Sequence, residues 1–270
     1  MTALLGVDVG FSERNKSTGL AWRVGTQIET CLVHSSWIER QKALPKNVQF
    51  SLAALDAPVL GLYAPISARS CEAVFYRRPF WNRCRPGLSH HGRGLALRTT
   101  GSEAASQFTS VLAPVGFAYG PEVLPGIPII EAFPNTFLGV LVPEQLFSTN
   151  IKDKKQSRSD WLYERAVECG ALAGVLRHLG WNGQATLVQV ETETNHDKRA
   201  ALICLLTAGF AHSGEATIIG DPSGGWFWLP PKALWEPWAR QGLEEALSRS
   251  RLRGFASVQT WSGRRRTYAV

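Results

Sequence analysis

The chain opens with an apolar segment that has no helical period and carries an acid near its end, and this pattern returns twice. Short runs of this kind, bounded by Gly, Pro and polar residues, predict buried β-strands. Each delivers a carboxylate to a strand end: Asp8 in residues 3–9, Asp56 after residues 51–55 and Glu131 in residues 126–133. An acid in this position either faces a cleft or only caps the following turn.

The rest of the chain alternates helical and strand-like patterns. Apolar positions at spacings of three and four predict a helix over residues 161–178, and Gly214 ends an apolar helix that begins at Asn195, His196 or Asp197. Further strands are predicted at residues 20–22, 29–34, 185–190, 217–219 and 226–229, a helix at 233–248 and a basic-tipped hairpin at 255–270. These elements predict an α/β protein with a mixed central sheet and flanking helices.

One long segment, residues 64–126, has poor periodicity and is rich in Arg, Pro, Gly and aromatic residues. We interpret it as an irregular insertion in a domain of residues 1–230, with residues 231–270 as a C-terminal helix and hairpin packed on the same domain. Arg interleaved with aromatic rings suits phosphates and stacked bases, although the rings could equally form a small core. Its Cys and His residues, Cys71, Cys84, His90 and His91, do not have zinc-site spacing.

Charge and composition narrow the function classes. The formal charge is +7, but basic residues concentrate in residues 65–100 and 231–270, which leaves the remainder net acidic. Basic flanks attract a polyanion while an acidic centre binds a cation, as in a metal-dependent nuclease; solvated Arg-rich loops are the simpler alternative. Five cysteines without a C-x-x-C pair indicate a reducing cytoplasm, and no apolar run is long enough to predict a membrane span.

A fourth acid, Asp197, lies at the start of the predicted helix, where it either joins the other three or caps the helix. The first twenty residues have the pattern D-x-G, a polar loop and T-G, which resembles both RNase H or RuvC-like nucleases and the actin and sugar-kinase ATPases. In the former the strand-end Asp binds Mg²⁺; in the latter the hairpin wraps a nucleotide phosphate.

Six motifs together resemble the predicted RNase H-like nucleases catalogued as domain of unknown function family 429, relatives of the RuvC resolvases. They are GVDVGFS (6–12), LDAPVLG (55–61), RSCE (69–72), EAFPNTFLG (131–139), HDKRAALICLLTAG (196–209) and GDPSGGWFWLP (220–230). The resemblance implies an RNase H-like mixed sheet and a nuclease whose catalytic, metal-binding acids are Asp8, Asp56, Glu131 and Asp197. It departs from the family at Ala200, where the pattern D-x-x-D-A-L often has a second acid.

Hard carboxylate oxygens suit Mg²⁺ or Mn²⁺, and two such ions stabilise the attacking and leaving oxygens of a phosphodiester. His196 is a candidate proton shuttle. The candidate nucleic-acid contacts are Arg77, Arg78, Arg83, Arg85, Lys152, Lys154, Lys155, Arg264, Arg265 and Arg266. Two alternatives stay open: a non-catalytic nucleic-acid-binding protein with a degenerate site, and an ATP-binding phosphotransferase.

Overall fold

The computed structural model describes residues 2–12, 14–59, 69–90, 92–113, 128–147, 156–221, 224–250 and 257–260. The strands are β1 (Ala3–Asp8), β2 (Thr18–Val24), β3 (Gln27–Val33), β4 (Leu52–Asp56), β5 (Ile129–Ala132), β6 (Thr217–Asp221), β7 (Gly225–Leu229) and β8 (Ser257–Thr260). The helices are α1 (Trp37–Ala43), α2 (Ser70–Phe75), α3 (Arg93–Phe108), α4 (Pro134–Gly139), α5 (Arg158–Glu168), α6 (Ala171–His178), α7 (Gln184–Thr192), α8 (His196–Ser213) and α9 (Pro237–Ser250).

The strands form one mixed sheet in the order β3-β2-β1-β4-β5-β7-β6-β8. β1, β4, β5 and β7 run parallel to one another, whereas β2 and β3 are antiparallel extensions on one side and β6 and β8 on the other. The carboxyl ends of the parallel strands therefore meet at one edge of the sheet. The predicted class, an α/β protein with a mixed sheet and flanking helices, is confirmed.

Two hydrophobic cores cover the two faces of the sheet, because successive strand residues project to opposite sides. Leu4 and Ala54 belong to the core that includes α8, and Leu5 and Leu55 belong to the core that includes α3. Every residue of α8 from 200 to 211 is buried, so this helix is apolar all round and lies at the centre of the molecule. No helix in the described part of the chain is long and apolar enough to cross a membrane.

Several predicted elements are wrong in detail. Residues 185–190, predicted as a strand, lie in α7, which buries only Thr186 and Val190, four residues apart. The predicted helix 161–178 is two helices, because Gly170 adopts a left-handed backbone conformation (φ +74°) between α5 and α6. The insertion is not irregular throughout, since it contains α2 and α3.

Candidate active site

Asp8 and Asp56 lie side by side at one edge of the sheet. Asp8 is the last residue of β1 and Asp56 is the last residue of β4, and the two are paired in register on these parallel strands. Paired residues project from the same face of a sheet, and Gly6 on this face contacts α8. Both carboxyl groups therefore leave the sheet on the side that α8 covers.

Helix α8 brings the third carboxylate, that of Asp197, against Asp8. Two glycines allow this close approach: a Cβ on Gly6 would lie 2.2 Å from the carbonyl oxygen of Ala201, and one on Gly19 would lie 2.0 Å from the carbonyl oxygen of Asp197. Gly19 is itself paired with Asp8 across β1 and β2. The absence of side chains at these positions places the first turn of α8 directly over Asp8.

The alternative role of Asp197 as a helix cap is filled by another residue. Asn195 is the N-cap of α8, and its side-chain oxygen accepts a hydrogen bond of 3.1 Å from the backbone N–H of Lys198. Asp197 in the first turn still benefits from the positive end of the helix. Its carboxyl group is left to share a hydrogen bond with Asp8.

The aspartates are held in an environment that opposes their ionisation. Burial, and then the charges of Asp56 and Asp197, raise the pKa of Asp8 well above its ordinary value. Burial, with the charge of Glu131, raises the pKa of Asp56 to about 7, and burial also raises the pKa of Asp197. The hydrogen bond between Asp8 and Asp197 needs one proton, and it raises the pKa of Asp8 while lowering that of Asp197. The pair therefore holds a proton more tightly than two separate carboxyl groups would.

Glu131 reaches the same region from the other face of the sheet. It is paired with Leu55, one residue before Asp56, so its side chain projects opposite to those of Asp8 and Asp56. Both carboxylate oxygens accept hydrogen bonds from Arg69, at 2.7 Å from Nη1 and 2.5 Å from Nη2. Glu131 is thus neutralised by a protein cation, which distinguishes it from the three aspartates.

Arg69 is the centre of a buried ion-pair triad. Besides Glu131, it donates from Nε to Glu72 Oε1 at 2.9 Å, and its guanidinium carbon lies 5.2 Å from the centre of the Phe227 ring. The side chains of Arg69, Glu72 and Glu131 are 5% exposed or less. Two carboxylates and one guanidinium leave this triad net negative, so it adds to the acidic character of the site.

A cavity of about 310 Å³ joins these groups. Asp8, Asp56 and Glu131 line it together with the Arg69 triad, and α8 contributes His196 and Ala200. Ala200 is buried at 7% exposure, at the position where the family pattern often has a second acid. A side chain added at Ala200 would therefore enter the region of the acids.

His196 is held at the rim of this cavity by α5. Its Nδ1 lies 3.1 Å from Asp160 Oδ2 and 3.3 Å from the hydroxyl of Ser157, which is also the N-cap of α5. Arg199 donates to Asp160 Oδ1 at 3.3 Å. This network fixes the ring and places a titratable group beside the cavity, as the proposed proton-shuttle role needs.

The predicted phosphate contacts that the structure describes lie outside the cavity wall. Arg77 and Arg78 are exposed, whereas Arg83 pairs with Glu144 and Arg85 stacks on Trp81 with its guanidinium carbon 4.1 Å from the ring centre. Lys152, Lys154, Lys155, Arg264, Arg265 and Arg266 lie outside the described residues, so their predicted role stays a prediction. Arg83 therefore joins the insertion to the rest of the domain, and Arg85 packs within the insertion.

Four further cavity residues were not predicted: Arg69, Glu72, Ser89 and Asn135. The motif RSCE contains the first two, but their significance depends on Glu131, which is 62 residues from Arg69 in sequence. The available signal was the largely apolar segment SCEAVF (70–75), which contains Glu72 and directly follows Arg69.

The donor set fits a hard divalent cation. Within the described residues, no three His, Cys, Asp or Glu side chains are gathered closely enough to form a complete metal site by themselves. A Mg²⁺ site needs fewer than three protein ligands, since Mg²⁺ is commonly bound through one or two carboxylates together with water and substrate phosphates. Asp8 and Asp56 provide two such carboxylates on one face, and Asp197 adjoins them.

Comparison with known proteins gives no assignment: no family model, no curated protein and no solved structure matches the chain.

Proposed function

We propose that the protein is a metal-dependent nuclease that hydrolyses phosphodiester bonds with Asp8, Asp56 and Asp197, on an RNase H-like fold. The observation that carries the proposal is the approach of these three acids from β1, β4 and α8 in a buried site, where burial raises the pKa of each and the charges of Asp56 and Asp197 raise that of Asp8 further. Proteins seldom bury like charges together unless the arrangement serves a function. A divalent cation is the partner that relieves this repulsion and attracts a phosphate.

Asp8 and Asp56 would hold Mg²⁺ or Mn²⁺, with Asp197 as a further oxygen donor. The ion, when bound, activates a water nucleophile and stabilises the charge on the phosphate oxygens. The pKa values of these acids are raised, so binding of a metal to their carboxylates would release protons from the site. His196, held by Asp160 at the cavity rim, is placed to deliver a proton to the leaving oxygen.

The proposal is tested by incubating the protein with labelled single-stranded DNA, duplex DNA, RNA, an RNA–DNA hybrid and a branched junction, each with Mg²⁺, Mn²⁺ or a chelator. We expect metal-dependent cleavage, strongest with Mn²⁺, of at least one substrate. Retention of every substrate intact under all conditions would contradict the proposal.

Ala200 favours a second candidate, a nucleic-acid-binding protein whose degenerate site binds metal too weakly for catalysis. The phosphotransferase alternative has less support, because the candidate Gly-rich loop after β6 leads into the antiparallel strand β7 and opens no helix.

Replacing Ala200 by Asp tests whether the site lacks a metal ligand. Ala200 lies one helical turn beyond Asp197 and lines the cavity, so the new carboxylate should add a ligand and tighten Mn²⁺ binding about tenfold, as measured by calorimetry. The matched control is Ala185→Asp, an exposed position on α7 that lies outside the cavity and should leave Mn²⁺ affinity unchanged. Weaker binding, or an unfolded variant, would show that Ala200 is a packing position.

A further inference from the structure

One end of the cavity carries polar atoms that are buried yet unpaired. Glu72 and Ser89 line the cavity and are 1% and 3% exposed. Among the residues that the structure describes, none donates to Glu72 Oε2 or Asn135 Oδ1, and none pairs with Ser89 Oγ. A buried polar group without a partner is destabilising, so these atoms mark a place where a ligand completes the hydrogen bonding.

The orientation of Glu72 is fixed. Its Oε1 accepts a hydrogen bond of 2.9 Å from Arg69 Nε and another of 3.1 Å from the backbone N–H of Ser89. Arg69 is in turn held by Glu131 through two further hydrogen bonds. Oε1 is therefore fully occupied, and Oε2 is presented as a rigid, negatively charged acceptor. A ligand at this end must offer an N–H or O–H donor.

The neighbouring walls are aromatic and aliphatic. Phe133 and Phe227 stack on each other with ring centres 5.1 Å apart and an angle of 23° between the rings. Phe11, 51% exposed, and Leu97 line the same cavity. At about 310 Å³ the cavity is at the low end of small-molecule pockets, which span about 300–1,000 Å³. It accommodates one nucleotide unit rather than a duplex.

We propose that this pocket binds the base of a single unpaired or terminal nucleotide and selects bases that carry an exocyclic amino group. The half-buried ring of Phe133 and the exposed ring of Phe11 supply the stacking surface, and Glu72 Oε2 accepts from the amino group. The pocket opens onto Asp8 and Asp56, so a base bound there places its own phosphate at the acids. This last placement, and only this, depends on the proposed nuclease function.

The selectivity follows from the pattern of donors on each base. Adenine, cytosine and guanine carry an amino group on the edge that would meet Glu72. Uracil and thymine have carbonyl oxygens in the corresponding places, which would face a fixed carboxylate oxygen. Cytosine and uracil are the sharpest pair, since they stack almost equally and differ only along their hydrogen-bonding edge. Cytosine has the amino group and an acceptor at N3, whereas uracil has a carbonyl oxygen in place of the amino group and its N–H donor lies one ring position further along, at N3.

The test compares binding of CMP and UMP to the full chain by calorimetry, in the presence of a chelator. We expect CMP to bind at least about tenfold more tightly. Glu72→Gln should remove or reverse this preference. The two N–H groups that donate to Oε1 need an acceptor, so they hold the amide oxygen of the glutamine in that place. Its NH₂ group then takes the place of Oε2 and donates a hydrogen bond where the carboxylate accepted one. Glu144→Gln, the same change on a residue outside the cavity, should leave the preference intact.

Ser89→Ala keeps the carboxylate and provides a second test if Glu72→Gln does not fold; it should weaken CMP binding severalfold. Equal affinities for CMP and UMP in the parent protein, or no binding of either at millimolar concentration, would overturn the inference. Base-selective binding without cleavage of any strand would refute only the nuclease proposal. Cleavage without a difference between CMP and UMP would refute only the base pocket.

Discussion

Replacing Asp8 by Asn is expected to lower the rate of metal-dependent cleavage by at least about 10³-fold. Asn has the shape of Asp but no negative charge, and it offers a metal one neutral oxygen in place of a carboxylate. Loss of a group that only supports a metal ligand costs about 10–100-fold in affinity or activity, so loss of the ligand itself should cost more. Initial rates on the best substrate, at saturating Mn²⁺, measure the effect.

The variant should also remain folded and even gain stability, because an amide stays neutral without a bound proton at a site where burial and the neighbouring carboxylates oppose ionisation. Asp221→Asn is the matched control: Asp221 also ends a strand, β6, but does not line the cavity, and its contact with the Gly224 N–H is available to an amide oxygen. Cleavage by Asp8→Asn at the parental rate would show that the nuclease assignment is wrong.

The free energy of unfolding without metal is expected to fall by about 2 kcal/mol between pH 5 and pH 8. A carboxyl group whose pKa is raised on folding holds its proton in the folded state after the unfolded state has lost it, so raising the pH favours unfolding. For Asp56 this window runs from the ordinary carboxyl pKa of about 4 up to about 7. A tenfold difference in proton affinity between the folded and unfolded states corresponds to about 1.4 kcal/mol of unfolding free energy. Solvent around the partly exposed side chain of Asp56 reduces the total change in that free energy.

Chemical denaturation at pH 5, 6, 7 and 8, with a chelator present, measures this dependence. Asp56→Asn should flatten the curve, since it removes the titrating group, and Mn²⁺ at pH 8 should restore stability to the parent protein more than to the variant. A parent that becomes more stable with pH over this window, or a variant with the same slope, would contradict the raised pKa.

The parts of the fold that the sequence predicted correctly are those whose apolar pattern is strong and local. β1 and β4 were located by continuous apolar runs that end in Asp, and α8 by its Asn start and Gly end. α7 was missed because β-branched residues favour a strand by propensity, whereas its contacts bury only one helical face. α3 was missed because it packs through small residues such as Gly101 and Ala104, which give no apolar stripe.

The candidate site, like the fold, contains residues that could be predicted from the sequence and residues that could not. Asp8 and Asp56 could be predicted because parallel strands in register bring their ends together, which is a general rule of sheets. The pairing of Glu131 with Arg69 could not be predicted, because it depends on how the insertion folds back over the edge of the sheet. The unpaired atoms of Glu72 and Ser89 depend on the same packing, and they become visible only when every buried donor and acceptor has been matched.

The glycine-lined contact between β1 and α8 also has a consequence for how the chain is made. β1 leaves the ribosome before α8, which follows after about 10–40 s at ordinary rates of synthesis. During that interval the strand face around Gly6 has no helix to cover it, and apolar strands in this condition associate with one another. Charges at strand ends act as gatekeepers against such association. The raised pKa values of Asp8 and Asp56 depend on the burial and crowding of the finished protein, so both acids are expected to carry charge on the growing chain and to keep its uncovered strands apart until α8 arrives.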